Sequence, residues 1–196
     1  MALTNNNIFT MVKYCALILL GIFFFSCNNE SKVEKEIEEI PMNVEIIRFD
    51  KEFASASAET LPKLKAEFPA FFPKQYNDSI WIEKLNDTLQ NQLEEEVAKT
   101  FSNEEALEQT LIPLFQHIKY YFPKFTTPLV VTTTSDVDYR NKVILADSML
   151  VIGLDNYLGA EHRFYEGIDK YISKEMKPAQ IGPDVAETYA SQYIKP

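Results

Sequence analysis

Glycine is scarce in this chain: only five occur, and between Gly21 and Gly153 there is none. A phosphate-cradling loop needs glycines so that backbone can approach an anion closely, so such loops are excluded from most of the sequence. Histidine is scarcer still, with only His117 and His162. A zinc centre needs three or four convergent nitrogen, sulfur or carboxylate ligands, and neither histidine lies in a His-x-x-x-His or Glu-x-x-His pattern. Structural roles are expected for both, His117 on a helix face and His162 as a cap. No Gly-x-Ser-x-Gly elbow and no nucleophilic Cys/His pair is present. Cations are outnumbered, with 19 basic against 29 acidic residues. Phosphate backbones are held by clustered Lys and Arg, so nucleic acid is not an expected partner. No cofactor is implied.

Long hydrophobic runs are missing as well. The one uncharged apolar stretch, Tyr14–Phe25, covers 12 residues, whereas a helix needs roughly 20 to cross the hydrocarbon of a bilayer. A run of that shorter length behind a cation, here Lys13, is the apolar region of a secretory signal. Small Ser26 and then Cys27 follow it. "FFSC" (Phe24–Cys27) resembles the lipobox of bacterial lipoprotein signals, with Phe24 where leucine is usual. A thiolate is the side chain best able to attack and carry a lipid group. The only other cysteine, Cys15, lies inside the apolar run, so cleavage before Cys27 leaves one cysteine, acylated, and no disulfide. Each buried methylene of a lipid contributes about 0.8 kcal/mol, and two or more chains give lasting attachment. A soluble secreted protein and a short membrane anchor are the alternatives.

The expected organisation is therefore a signal peptide over 1–26, a lipidated Cys27 with an acidic tether over 27–41, and a single α+β domain over 42–196. Without the leader the balance is 18 basic against 29 acidic residues. The tether alternates glutamate and lysine blocks and holds too little apolar surface to fold alone. Aromatic residues are plentiful, 14 Phe and 10 Tyr, which excludes general disorder. "NVEIIRF" (43–49) alternates as a strand does. "EFPAFFPKQY" (67–76) reads as proline-punctuated bends whose aromatics pack on the core. From Asp78 to Thr100 the spacing predicts one helix, with Ile82, Leu85, Leu89, Leu93, Val97 and Phe101 in a stripe and Glu94–Glu96 mostly turned to water. Ser102–Glu105 reads as a capping box for a second helix carrying Leu107, Leu111, Leu114 and Ile118, bent at Pro113. The two are expected to form an antiparallel hairpin. "PLVVTTT" (128–134) and two buried strands around Asp147-Ser148 predict a small, mostly antiparallel sheet. Helical segments then close the chain, in "HRFYEGIDKYISKEM" and "GPDVAETYASQY".

"SDVDYR" (135–140) begins like a calcium loop, with Asp136 and Asp138, but Arg140 stands where a third oxygen ligand belongs and no glycine follows. A turn with a local Asp–Arg pair is the simpler expectation. Asp147 and Asp155 flank the strand hairpin and complete a possible carboxylate cluster with Asp136 and Asp138.

At "VEIIRFDKEF", "FPKQYNDSIWIEKLNDTLQNQLEEEV", "LFQHIKYYFPKF" and "LVVTTTSDVDYRNKVILADSMLVIGLDNYLG" the chain resembles gliding-motility lipoproteins of the GldB type, from Cys27 to its last residue. The resemblance implies an envelope lipoprotein of gliding Bacteroidetes, needed for motility and associated with other gliding and secretion envelope proteins, with no enzymatic activity to carry over. Family members usually continue well past "SQYIKP", so an N-terminal part of a longer protein, with an incomplete core, is the expectation. The order of helical pair, small sheet and helix after "IGPDV" is also similar to zincin-like metalloproteases. On that comparison Ala186-Glu187-Thr188-Tyr189-Ala190 stands where those enzymes carry His-Glu-x-x-His. Glu187 would be the retained position of a scaffold without its metal site; an ordinary surface glutamate is the simpler alternative.

The expected function is a non-enzymatic, lipid-anchored partner of the gliding apparatus. The alternatives are a tethered zincin-like hydrolase whose ligands lie outside this chain, and a solute-binding lipoprotein using the aromatic segments. Asn28 after the cysteine favours the periplasmic side of the outer membrane over the inner membrane, while the acids from Glu30 onward keep surface display open. Mass spectrometry of the protein from its native envelope should find a start at Cys27 carrying fatty acids. An uncut leader, or a start without fatty acid, would contradict the anchor.

Overall fold

The computed structural model describes residues 32–193; Cys27 and the signal segment lie outside the described residues. The described residues divide into two units, 32–40 and 41–193. In the first, Lys32–Glu38 forms helix α1, where a tether without structure of its own is expected from composition. Glutamate and lysine are good helix formers, and Lys32 Nζ lies 3.7 Å from Glu36 Oε1 one turn on.

The second unit is α+β, as expected. Its elements are β1 (Ile46–Ile47), α2 (Phe49–Ala54), α3 (Leu61–Glu67), α4 (Asp78–Asn86), α5 (Thr88–Thr100), α6 (Glu105–Tyr121), β2 (Leu129–Thr133), β3 (Val143–Ala146), β4 (Met149–Gly153), α7 (Lys170–Ser173) and α8 (Ile181–Tyr193). Strand order is β1-β2-β4-β3. β1 pairs parallel with β2, with Ile46 opposite Val130, and β2 pairs parallel with β4, with Leu129 opposite Met149 and Thr133 opposite Gly153. Only β3 and β4 are antiparallel, turning at Asp147-Ser148, and Asp147 takes φ 52° there. The sheet is thus mixed instead of mostly antiparallel. A hairpin turn is written locally in sequence, whereas the long crossover that makes β1 and β2 parallel is not.

The predicted single helix over 78–100 is two. It breaks after Asn86 because Asp87, in extended backbone, caps α5 by accepting from the Gln90 N–H at 2.8 Å. The break resets the helical phase. Leu89 of the predicted stripe turns to solvent, while Leu93 and Val97 stay buried and Gln90 and Glu94 turn inward with them. The second long helix starts at Glu105, two residues after Asn103, whose Oδ1 accepts from the Glu105 N–H at 3.3 Å, so the Ser102 box is not used. α5 packs chiefly on α2 and α4, and α6 on α8, so these helices do not close on each other as a hairpin. Between Arg163 and Ser173 only a 3₁₀ turn (Arg163–Tyr165) and α7 form.

Two apolar clusters flank the sheet. One joins Val97, Phe101, Leu107, Leu111, Phe115, Leu150, Ile152, Ile181 and Val185. Phe115, Phe125 and Tyr189 meet within it at centroid distances of 5.5–6.0 Å. Gly182 lets α8 approach α6, since a Cβ there would sit 3.1 Å from Thr110 Cγ2. The other is aromatic, built on Phe49, Phe53, Phe72 and Val131 with Phe68, Phe71 and Trp81 against them. The proline-punctuated segment supplies Phe68, Phe71 and Phe72 to it, as core packing requires.

Arg48 fastens the elements leaving β1. Its guanidinium donates to Asp50 through Nε (2.9 Å to Oδ1) and Nη2 (2.7 Å to Oδ2), and through Nη1 to the Phe101 carbonyl at the end of α5 (2.8 Å). Asp50 also accepts from the Thr132 hydroxyl of β2. Both members of the pair are buried, Asp50 to 4% exposure. Removing one member of such a pair strands a charge in the interior. Arg48→Met should therefore cost about 3–5 kcal/mol of unfolding free energy in a denaturant titration; a loss under about 1 kcal/mol, as for an exposed pair, would contradict this role.

Candidate functional site

β1, β2 and β4 run in the same direction, so their carboxyl ends lie along one edge of the sheet. In parallel sheets that edge is the usual place for sites. Here it collects Arg48 and Asp50 after β1, Thr134 and Ser135 after β2, and Asp155 and Asn156 after β4. Gln90 and Glu94 of α5 reach the same edge: Gln90 Nε2 donates to Glu94 Oε1 and, at 3.0 Å, to Thr134 Oγ1.

Asp155 is fully buried and shapes the loop after β2. Its carboxylate accepts from the Ser135 N–H (3.0 Å to each oxygen), the Ser135 hydroxyl (3.1 Å) and the Val137 N–H (2.6 Å). Those bonds hold Asp136 at φ 56° and Val137 at φ 58°. Two successive left-handed residues, one of them β-branched, are costly backbone, and such strain persists where surroundings over-determine it. Gly153 is required beside them, because a Cβ would come within 2.9 Å of both Ser135 Oγ and Asn156 Nδ2. Burial pushes the Asp155 carboxyl above the ordinary aspartate range, against the pull of the Val137 and Ser135 donors.

The strained loop forms one wall of an open groove of about 510 Å³, with Asp136 and Val137 facing Ile80, Lys84, Leu89 and Leu93 of α4 and α5, and Phe164 nearby. Lys84 spans the walls, its Nζ 2.7 and 2.8 Å from the two Asp136 oxygens. On its other side Lys84 lines a smaller cavity of about 130 Å³ with Phe49, Phe53, Phe71, Trp81, Thr133 and Thr134. The Trp81 indole N–H is buried and has no hydrogen-bond acceptor among the described residues.

The four aspartates singled out in the sequence do not come together as a cluster. Asp155 holds the loop from below and Asp136 pairs with Lys84. Asp138 closes its own turn, accepting from the Arg140 N–H (3.2 Å) and Asn141 Nδ2 (2.8 Å); Asn141 thus takes the place expected of Arg140. Asp147 sits in the β3–β4 turn at the other end of the strands. Among the described residues, no three His, Cys, Asp or Glu side chains are placed to hold a metal ion. His162 caps the Arg163–Tyr165 turn, its Nδ1 accepting from the Phe164 N–H at 3.4 Å. His117 lies on α6 and donates from Nδ1 to the Pro113 carbonyl at 2.8 Å. Glu187 is exposed on α8, opposite the face that buries Val185 and Tyr189. Gln90, Glu94 and Lys84 were not singled out in the sequence; the inward turn of an acid within a run of glutamates has no local signal.

Glu94, at 9% exposure, carries a testable consequence. Burial raises its pKa above the ordinary range, opposed by the Gln90 hydrogen bond and Lys84 and reinforced by Asp50 and Asp136. A raised carboxyl holds its proton in the folded chain after the unfolded chain has released it. Its contribution to stability therefore falls as pH rises from about 4.3, the unfolded glutamate value. Glu94→Gln should remove that loss, so its melting temperature should gain on wild type as pH is raised from about 4 toward 7. An unchanged difference across that range would show that Glu94 is not disfavoured as an anion.

Described in these terms, the chain can be set beside known proteins. The sequence model of the family described as gliding motility protein GldB matches residues 30–196. No curated protein and no solved structure matches. Among the described residues, no helix is long and apolar enough to cross a membrane. With the match running over most of its length, this chain belongs to the family of gliding motility protein GldB, a lipoprotein family.

Proposed function

We propose that the protein is a non-enzymatic, lipid-anchored envelope component of the gliding apparatus, held at the periplasmic side of the outer membrane by acyl chains on Cys27 and acting by binding other gliding or secretion envelope proteins. The family supports the role in gliding motility. The observation that supports the non-enzymatic part is the commitment of the two acids that follow β1 and β4, Asp50 and Asp155, to structural partners. Asp50 is saturated by Arg48 and Thr132, and Asp155 by Ser135 and Val137. A general base must instead be free to take a proton within hydrogen-bond reach of substrate. The leader is too short to span a bilayer, so attachment falls to Cys27. The second reading is a tethered zincin-like hydrolase, for which exposed Glu187 on α8 would be the retained residue.

Two measurements on cells test this. Fractionation with and without protease shielding should place the protein in the outer membrane, protected in intact cells and digested once the periplasm is opened. Recovery with the inner membrane, or digestion in intact cells, would contradict the placement. Metal analysis of the purified full chain should find no stoichiometric zinc; zinc removed by a chelator would favour the hydrolase.

A further inference from the structure

The groove between α4–α5 and the loop after β2 has a chemistry that its structural bonds do not use. Two of its apolar members are open to water, Leu89 at 62% exposure and Ile80 at 45%. Burying a leucine is worth roughly 1.5–3 kcal/mol, so a partner that covered Leu89 and Ile80 would gain from their burial. Around them acids outnumber cations: Glu83, Asp87 and Asp136 line the groove, and its single lining cation, Lys84, is already held by both oxygens of Asp136. Beyond that pair the wall keeps Glu83 and Asp87, both exposed, Asp87 with one oxygen capping α5. Its volume, about 510 Å³, falls in the range of ligand sites and has room for a few side chains. Because it is open along the surface, it fits a segment lying across it better than an enclosed solute.

From these features we propose that the groove docks a basic, amphipathic segment of a partner protein, its leucine-like side chains seated on Ile80, Leu89 and Val137 and its lysines or arginines facing Glu83 and Asp87. The inference rests on the docking reading of the protein and adds the chemistry of the partner. The strained Asp136–Val137 turn gives it a rigid wall: Asp155 fixes the turn from beneath, so the wall is set before the segment arrives and little ordering is left to complete on binding. Opposite charge around an apolar centre favours correct pairing and speeds encounter.

The test uses the full chain in nanodiscs of zwitterionic lipid and an amphipathic leucine–lysine peptide as probe. Trp81, the only tryptophan, lines the cavity that shares Lys84 with the groove and reports occupancy through its emission. Saturable binding is expected, weakened at least about tenfold by Leu89→Ser and by Glu83→Lys, and weakened by salt. Tyr171→Ser, at an exposed position outside the groove lining, should leave binding unchanged. Leu89 and Glu83 are exposed, so both variants should keep the wild-type melting temperature, which is measured alongside. Equal binding of a leucine–glutamate peptide, or binding indifferent to both groove variants, would overturn the proposal. So would absence of binding, and gliding of cells carrying Leu89→Ser then separates two cases. Lost gliding leaves the docking reading standing with the partner chemistry wrong; intact gliding removes this groove from docking altogether.

Discussion

The buried pair of Arg48 and Asp50 is the constraint on which the arrangement of the domain depends. Three elements far apart in sequence meet there: the exit of β1, the carboxyl end of β2 through Thr132, and the end of α5 through the Phe101 carbonyl. A guanidinium is suited to this because its fork pairs both carboxylate oxygens and still has an N–H for a helix C-terminus, where cations are favoured. Such a pair contributes little net stability relative to apolar side chains of similar volume, and fixes geometry at the cost of desolvation. Here the geometry fixed is the seat of α5 on the edge of the sheet, and α5 carries Gln90, Glu94 and one side of the groove.

A second buried carboxylate does the complementary work on the far wall. Asp155 gathers two backbone N–H groups and a hydroxyl, and with them holds a turn that two non-glycine residues would otherwise avoid. The edge of the sheet is therefore crowded with polar atoms that largely hold one another: Arg48, Asp50, Thr134, Ser135 and Asp155 have structural partners and Gln90 holds Glu94, while Asn156 Oδ1 is buried without a partner among the described residues. Left outward are exposed Leu89 and Ile80 and an acidic rim, features that suit the docking proposed for the groove. The proposed function, tethered recognition, would connect the Cys27 anchor, the fold and the groove.

Features written in short stretches were legible in the sequence. The turn at Asp147-Ser148 was, and so were the buried positions Leu107 and Leu111 and the final helix, because turn chemistry and helical periodicity are local. The aromatic run before Asp78 was correctly assigned to the core. The break at Asp87 was missed: the apolar spacing runs through it, and only the capping ability of aspartate argues against a continuous helix. That miss propagated, since the altered phase exposes Leu89 and buries Glu94. The parallel pairing of β1 with β2 depends on a crossover of some eighty residues, which no window reads. The candidate site was legible only in its members. Asp136, Asp138, Asp147 and Asp155 were named together, yet they occupy both ends of the strands and do four different things, because spacing along a chain does not say which way a carboxylate faces.

The proposed function requires the polar edge of the sheet to be scaffold. The most direct test replaces Arg48 and Asp50 together by Met and Leu, which removes both charges while keeping volume, and measures the gliding of cells carrying only that protein beside its melting temperature. Gliding should persist wherever the double variant folds, because shape alone is what the pair supplies. A variant that melts like wild type yet no longer supports gliding would contradict the account and return chemistry to this edge.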